Sequence, residues 1–139
     1  MSDRPPKIRL SGVSKSFGPK PVLRGVDLDI GTGESVVVIG GSGTGKSVML
    51  KCILGLLHPD AGSICIDGRD SVHLSGSERV RLMSRFGMLF QGAALFDSLK
   101  VWQNVAFGLT MGRGMPRRDA KRIALAKLGA VGLGPEVAE

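Results

Sequence analysis

The pattern of apolar and polar positions changes character several times along the chain. Residues 8–14 alternate roughly, and residues 22–30 alternate more cleanly, with Val26, Leu28 and Ile30 on one side and Asp27 and Asp29 on the other. Both segments predict half-buried strands. Residues 35–39 form a block of β-branched residues after a single Ser, the pattern of a central strand buried on both faces. Residues 40–45 break it, and residues 46–57 predict a helix apolar on most sides and therefore buried. His58-Pro59-Asp60 stops that helix. A short strand is expected over 62–67, with Asp67-Gly68 as a turn. Ser75 followed by Glu78 fits a capping box that opens a helix running to about Arg85. Residues 87–91 predict another short strand. Helices are expected over 101–111 and 116–128, with Pro116 at a helix start. Strands mixed with helices imply an α/β layered fold.

One stretch runs against the usual polarity of loops. In FQGAALFDSLKVW, the residues Ala93, Ala94, Leu95 and Phe96 sit between a lone polar Gln91 and the turn residues Asp97 and Ser98. Four consecutive apolar residues outside a core call for a cover.

Composition narrows the class. The chain has 139 residues, 42% hydrophobic and 22% charged, a globular balance and at most one domain. No apolar run approaches the ~20 residues of a membrane span. The first six residues are not followed by an apolar core, so no signal peptide is expected and the cytoplasm is the default. Cys52 and Cys65 lie in apolar segments and read as reduced core residues. The net charge of +7 permits a nucleic-acid or anionic-membrane partner. The bases are dispersed, however, and the denser patch from Arg113 to Lys127 reads first as a solvated helix face. Aromatics make up only 4%, without a stacking cluster, so no nucleic-acid partner is expected.

The strongest chemical signal is Gly40-Gly41-Ser42-Gly43-Thr44-Gly45-Lys46-Ser47, which fits G-x-x-x-x-G-K-[ST] between a strand pattern and a helix pattern. Glycines let successive backbone N–H groups turn inward onto phosphate oxygens. The following helix N-terminus adds positive potential. Lys46 is placed to reach the β- and γ-phosphates, and the Ser47 hydroxyl to ligate Mg²⁺.

Three further features accompany this loop: Phe17 in SKSFG, Gln91 at the end of a strand pattern, and the apolar stretch after it. With GVSKSFGPKPVLRGVDLDI, GESVVVIGGSGTGKSVMLKCILGLLHPDAGSICIDG and FGMLFQGAALFDSLKVWQNVAFGL, the chain resembles an ABC transporter ATPase from about Ile8 to Leu133. The last segment resembles the Mla-type (toluene-tolerance) phospholipid-trafficking ATPases. The resemblance implies a P-loop NTPase of the ABC type, with an N-terminal antiparallel β portion and the start of a helical subdomain, the fold being incomplete. It implies a nucleotide-binding core over about 8–91, with the Q-loop and the start of the helical subdomain over about 92–139. Phe17 would stack on adenine, residues Gly40 to Ser47 would hold ATP, and Lys46 and Gln91 would serve catalysis, with Ser47 and Gln91 at Mg²⁺. Ala93, Ala94, Leu95 and Phe96 would dock a permease at the inner membrane, and a second ATPase subunit would complete a head-to-tail dimer. Lys100 and Gln103 stand where related sequences often have Thr and Glu, so the helix there lacks a favourable acid at its positive end.

Leu74-Ser75-Gly76-Ser77-Glu78 is similar to the family's signature pentapeptide but precedes Gln91, whereas the signature follows it; the capping box accounts for the same residues. No apolar strand ending in Asp-Glu occurs, and neither His58 nor His73 lies in the switch position. The chain is therefore expected to be the N-terminal half of an ABC ATPase domain, binding ATP without hydrolysing it efficiently alone. The alternatives are an ABC ATPase for another substrate, such as amino acids or metals, and a truncated remnant without function. A GTPase is disfavoured because no N-K-x-D pattern occurs.

Overall fold

A computed structural model describes residues 5–92 and 94–138, in two compact units, Met1–Met88 and Leu89–Glu139. The first unit is built on a four-stranded antiparallel sheet. Its strands are β1 (Ile8–Phe17), β2 (Lys20–Ile30), β3 (Ala61–Ile66) and β4 (Arg69–Asp70), in the order β2-β1-β3-β4. Leu10 pairs with Leu28 on one side and Ile64 on the other, which brings the alternating apolar positions to one face. Register shifts interrupt β1 near Gly12 and Val13. The Asp27 carboxylate accepts the Gly12 N–H at 2.8 Å, and the Ser14 hydroxyl accepts the Gly25 N–H at 2.8 Å, so side chains satisfy amides beside the irregular pairing. The hairpin between β3 and β4 turns at Asp67-Gly68, both with positive φ (51° and 75°), as a two-residue primed turn requires.

Helix α1 (Lys46–Ile53) covers the sheet. Met49, Cys52 and Ile53 join Leu10, Val13, Leu23, Ile64 and Val72 in one core. The helix is shorter than the apolar pattern predicts, and Leu50 and Leu56 stay about half exposed, so burial is one-sided. Cys52 and Cys65 are free thiols, Cys52 buried and Cys65 half-buried. Helix α2 (Gly76–Met83) begins as expected at Ser75, whose N–H donates to the Glu78 carboxylate at 3.0 Å.

Two expected strands are not formed. Residues 35–39 carry no ladder, and Val37 and Ile39 are 82% and 91% exposed. Residues 87–91 are likewise irregular, with Leu89 97% exposed. Strand propensity is realised only when a neighbouring strand supplies the second half of each hydrogen bond. Among the described residues, neither segment has such a neighbour.

The second unit pairs α3 (Val101–Val105) with α4 (Arg117–Ala130). Trp102, Ala106, Ala120, Ala124, Leu128 and Ala138 form its core. The helix expected over 101–111 is not continuous: a π-helical turn, Gly108–Gly112, follows α3. Arg117 and Lys121 both lie over the Trp102 ring, at 5.1 and 5.3 Å from its centroid, so part of the basic patch covers an aromatic. No helix among the described residues is long and apolar enough to cross a membrane.

Candidate functional site

Residues Gly40 to Gly45 follow the unpaired 35–39 segment and curl into α1. Gly43 and Gly45 take φ of 77° and 97°, a region that L side chains rarely enter. Gly45 is also spatially pinned. A Cβ there would lie 3.0 Å from the Val22 carbonyl oxygen and 3.0 Å from the Val22 and Leu23 side chains, so β2 passes directly against the loop. Inside the curl, the Thr44 hydroxyl donates to the Gly41 carbonyl at 2.8 Å. The Lys46 ammonium donates to the carbonyls of Gly40 and Gly41 and reaches Thr44 Oγ1 at 3.4 Å. A flexible cation is thereby held within the loop. Helix α1 starts at Gly45 with no side-chain cap and no acid in its first turn, which leaves its positive end uncancelled. Ser42 is in the turn of the loop, and Ser47 sits in the first helical turn and is exposed.

Phe17 ends β1, paired with Lys20 of β2, and the residue is 47% exposed. The Lys15 ammonium lies 5.8 Å from the ring centroid. Val22, which abuts Gly45, is two residues beyond Lys20 on the same strand. Phe17 and the residues that Gly45 packs against thus lie on one hairpin of the first unit.

Gln91 lies in the second unit, exposed and in irregular backbone. Of the apolar stretch after it, Ala93 lies outside the described residues. Ala94 takes a positive φ of 49°, and Leu95 and Phe96 are exposed. The Phe96 and Phe107 rings stack 4.8 Å apart at 32°. Asn104 of α3 ties this loop together. Its amide oxygen accepts the Phe96 N–H at 2.8 Å, and its amide nitrogen donates to the carbonyls of Phe96, Leu99 and Lys100 at 3.1–3.2 Å. Gln103 accepts the Lys100 N–H at 2.9 Å, so a neutral amide fills the role an acid would have at that helix start.

A loop that holds a lysine among its own carbonyls, opens a helix and excludes a Cβ at Gly45 has the geometry that a phosphate-binding loop requires. The description "ABC transporter" fits the family model that matches residues 23–138. The chain belongs to the ABC transporter family. Its ABC relatives include the probable ribonucleotide transport ATP-binding protein mkl of Mycobacterium leprae, 44% identical over 91% of this chain and 37% of its own length. The chloroplast protein trigalactosyldiacylglycerol 3 of Arabidopsis thaliana is 45% identical over 91% of this chain and 36% of its own. Among solved structures, the ATP-binding cassette MJ0796, in a dimeric post-hydrolysis state bound to ADP and Pi, superposes with a TM-score of 0.80 at 32% identity, covering 94% of this chain and 60% of that one. The chain spans little more than a third of the length of these curated relatives.

In an ABC protein this cradle is built for ATP with Mg²⁺, and the residues present fit both: a positive helix end and ammonium for the phosphates, an exposed hydroxyl for the ion. Sequence reading missed Lys15, Asp60 and Asn104. The Asp60 carboxylate bonds Lys15 and the Ser16 N–H, and these contacts hold it below the usual carboxylate range. Asp60 reads locally only as part of a helix stop, and its partners lie more than forty residues earlier.

Proposed function

We propose that this ABC protein is the ATP-binding subunit of a transporter that energises phospholipid trafficking across the bacterial cell envelope. It would work at the cytoplasmic face of the inner membrane, held there by an integral-membrane permease. Residues Gly40 to Gly45 wrap the phosphates, and Lys46 reaches the β- and γ-phosphates. Ser47 ligates Mg²⁺, and Phe17 meets the adenine. Gln91 contacts Mg²⁺ or the attacking water, and its neighbours Ala93, Ala94, Leu95 and Phe96 seat a helix of the permease. A second ATPase subunit completes a head-to-tail dimer.

The observation that carries the nucleotide reading is the Lys46 ammonium among the loop carbonyls beside an uncapped helix end. The lipid reading is supported by the 90–107 segment and by a relative named after a galactolipid. A second reading, import of another solute, is favoured by the sulfate/thiosulfate import protein CysA of Thermosynechococcus vestitus, 42% identical over 90% of this chain. Reconstitution of the full-length protein with its permease separates them. ATP-driven movement of phospholipid between labelled vesicles is expected, lost with Lys46→Ala and with Phe96→Asp, the latter retaining ATP binding. Sulfate-dependent ATP turnover without lipid movement would replace the lipid reading. A Lys46→Ala protein with unchanged ATP affinity would remove the nucleotide reading itself.

A further inference from the structure

Asp60 stands immediately before β3 and extends the pairing of β1 with β3 beyond its last partners, Ser14 and Ala61. The Asp60 N–H donates to the Ser14 carbonyl at 2.8 Å. One carboxylate oxygen accepts the Ser16 N–H at 2.7 Å, and the other accepts Lys15 Nζ at 2.6 Å. A single residue therefore holds three consecutive positions of β1, residues 14 to 16, where the strand has run out of β3 to pair with. On the other side of β1, Ser16 faces Pro21, which has no N–H to donate. The Lys15 side chain is only 17% exposed, so its ammonium is confined between the Asp60 carboxylate and the Phe17 ring. Next along β1 comes Phe17, whose ring would otherwise swing on the end of a half-paired strand.

The position of that ring relative to the phosphate cradle is set through β2. Phe17 pairs with Lys20, and Val22, two residues on, packs against Gly45. Two residues of strand advance about 7 Å. The spacing between ring and cradle is kept only while the end of β1 stays paired with β2. We propose that Asp60 is a positioning residue for nucleotide binding, clamping the end of β1 so that the Phe17 ring stays at a fixed station beside the phosphate loop. The inference rests on Phe17 being the base-facing ring, and it concerns the nucleoside half of the ligand alone, since among the described residues the Asp60 hydrogen bonds go to Ser14, Lys15 and Ser16 of β1 and not to the loop.

That division supplies the test. Affinities of the full-length protein are measured for Mg-ATP and for Mg-tripolyphosphate, which shares the phosphates and lacks the nucleoside. Phe17→Ala is expected to weaken ATP roughly tenfold and leave tripolyphosphate unchanged, the scale of one lost base–aromatic stack. Asp60→Ala is expected to weaken ATP about fivefold, again sparing tripolyphosphate. Asp60→Asn, which keeps an acceptor for the Ser16 N–H, should recover part of that loss. In a Phe17→Ala background, Asp60→Ala should add nothing further. Equal weakening of both ligands by Asp60→Ala would make Asp60 a general structural residue and overturn the proposal. So would an unchanged ATP affinity in Asp60→Ala while Phe17→Ala loses its tenfold. If Phe17→Ala itself leaves the ratio of the two affinities unchanged, the base-facing reading fails and the clamp falls with it.

Discussion

Glycines with positive φ do different work in this molecule according to what surrounds them. Gly18, in the turn between β1 and β2, has φ 57° and open space where a Cβ would go. Gly62 has φ 86°, and a Cβ there would run into the backbone of Gly12 and Ser11 across the sheet. Gly18→Ala should therefore cost about 1 kcal/mol, the intrinsic left-handed penalty. Gly62→Ala should cost about 3 kcal/mol or more, because two strands must separate as well. Urea unfolding of both variants checks this, and equal losses would show that the close approach does not matter. Residue-level legibility followed the same division. The phosphate loop was readable because its chemistry is contiguous: glycines, lysine and serine act on one another within eight positions. Asp60 was not, because nothing near it in sequence announces Ser16 or Lys15. Cys52 was readable as a core residue from its apolar neighbours, whereas Cys65, expected in the core for the same reason, is only half-buried.

Among elements, the contrast lies between segments that carry their own partners and those that do not. Helix α2 starts where its capping pair predicts, and α4 starts immediately after Pro116, since these signals act over three or four residues. The apolar block at 35–39 was legible as a strand-former, but pairing is supplied from elsewhere, and among the described residues its apolar side chains face water. Val37→Thr keeps the β-branch and removes an exposed methyl from an unpaired segment. It should raise the concentration at which this chain aggregates while leaving thermal stability within about 0.5 kcal/mol. Light scattering during a concentration series reads the first, and a melting curve the second. In the second unit, the loop ahead of α3 depends on one side chain. Asn104→Ala removes the bonds to Phe96, Leu99 and Lys100 and should destabilise that unit by about 1–2 kcal/mol. Amide exchange at Phe96 should quicken in step. Protection that survives the substitution would mean that the Phe96–Phe107 stack alone holds the loop.

At the scale of the whole molecule, ionisation sets the conditions under which the fold persists. Asp29 is held below its ordinary range by hydrogen bonds from Arg9, Asp60 by Lys15 and then Ser16, and Asp67 by Lys7 and Arg85. Asp70 is lowered by His73 and the Val72 N–H, and Glu78 by Ser75. For each, the folded pKa lies below the unfolded value, so its contribution is complete above the ordinary carboxylate range and is lost as pH falls through the folded value. These groups give no slope between pH 5 and 8. Below about pH 4 the melting temperature should fall, and the excess of positive charge in a chain already at +7 will steepen the loss. Asp67→Asn should flatten part of that acid limb, because it removes a carboxylate shared by two cations. A melting temperature constant from pH 5 to pH 3 would show that these surface pairs are fully screened. The overall α/β class was legible from the succession of strand and helix patterns, and the antiparallel N-terminal portion only from the resemblance to ABC ATPases. The irregular course of residues 87–91 was not, because it depends on which strands are available to pair.

The packing of Gly45 against Val22 has a practical corollary for inhibitor chemistry. A strand cannot stretch, so β2 works as a gauge, with Val22 against the phosphate loop at one mark and Lys20, the pairing partner of the proposed base-facing Phe17, at another. Compounds that join an aromatic group to a phosphate mimic by a spacer shorter than ribose would engage one mark and miss the other. Rigid linkers of matched length should therefore outrank larger aromatic surfaces when ligands for this chain are designed.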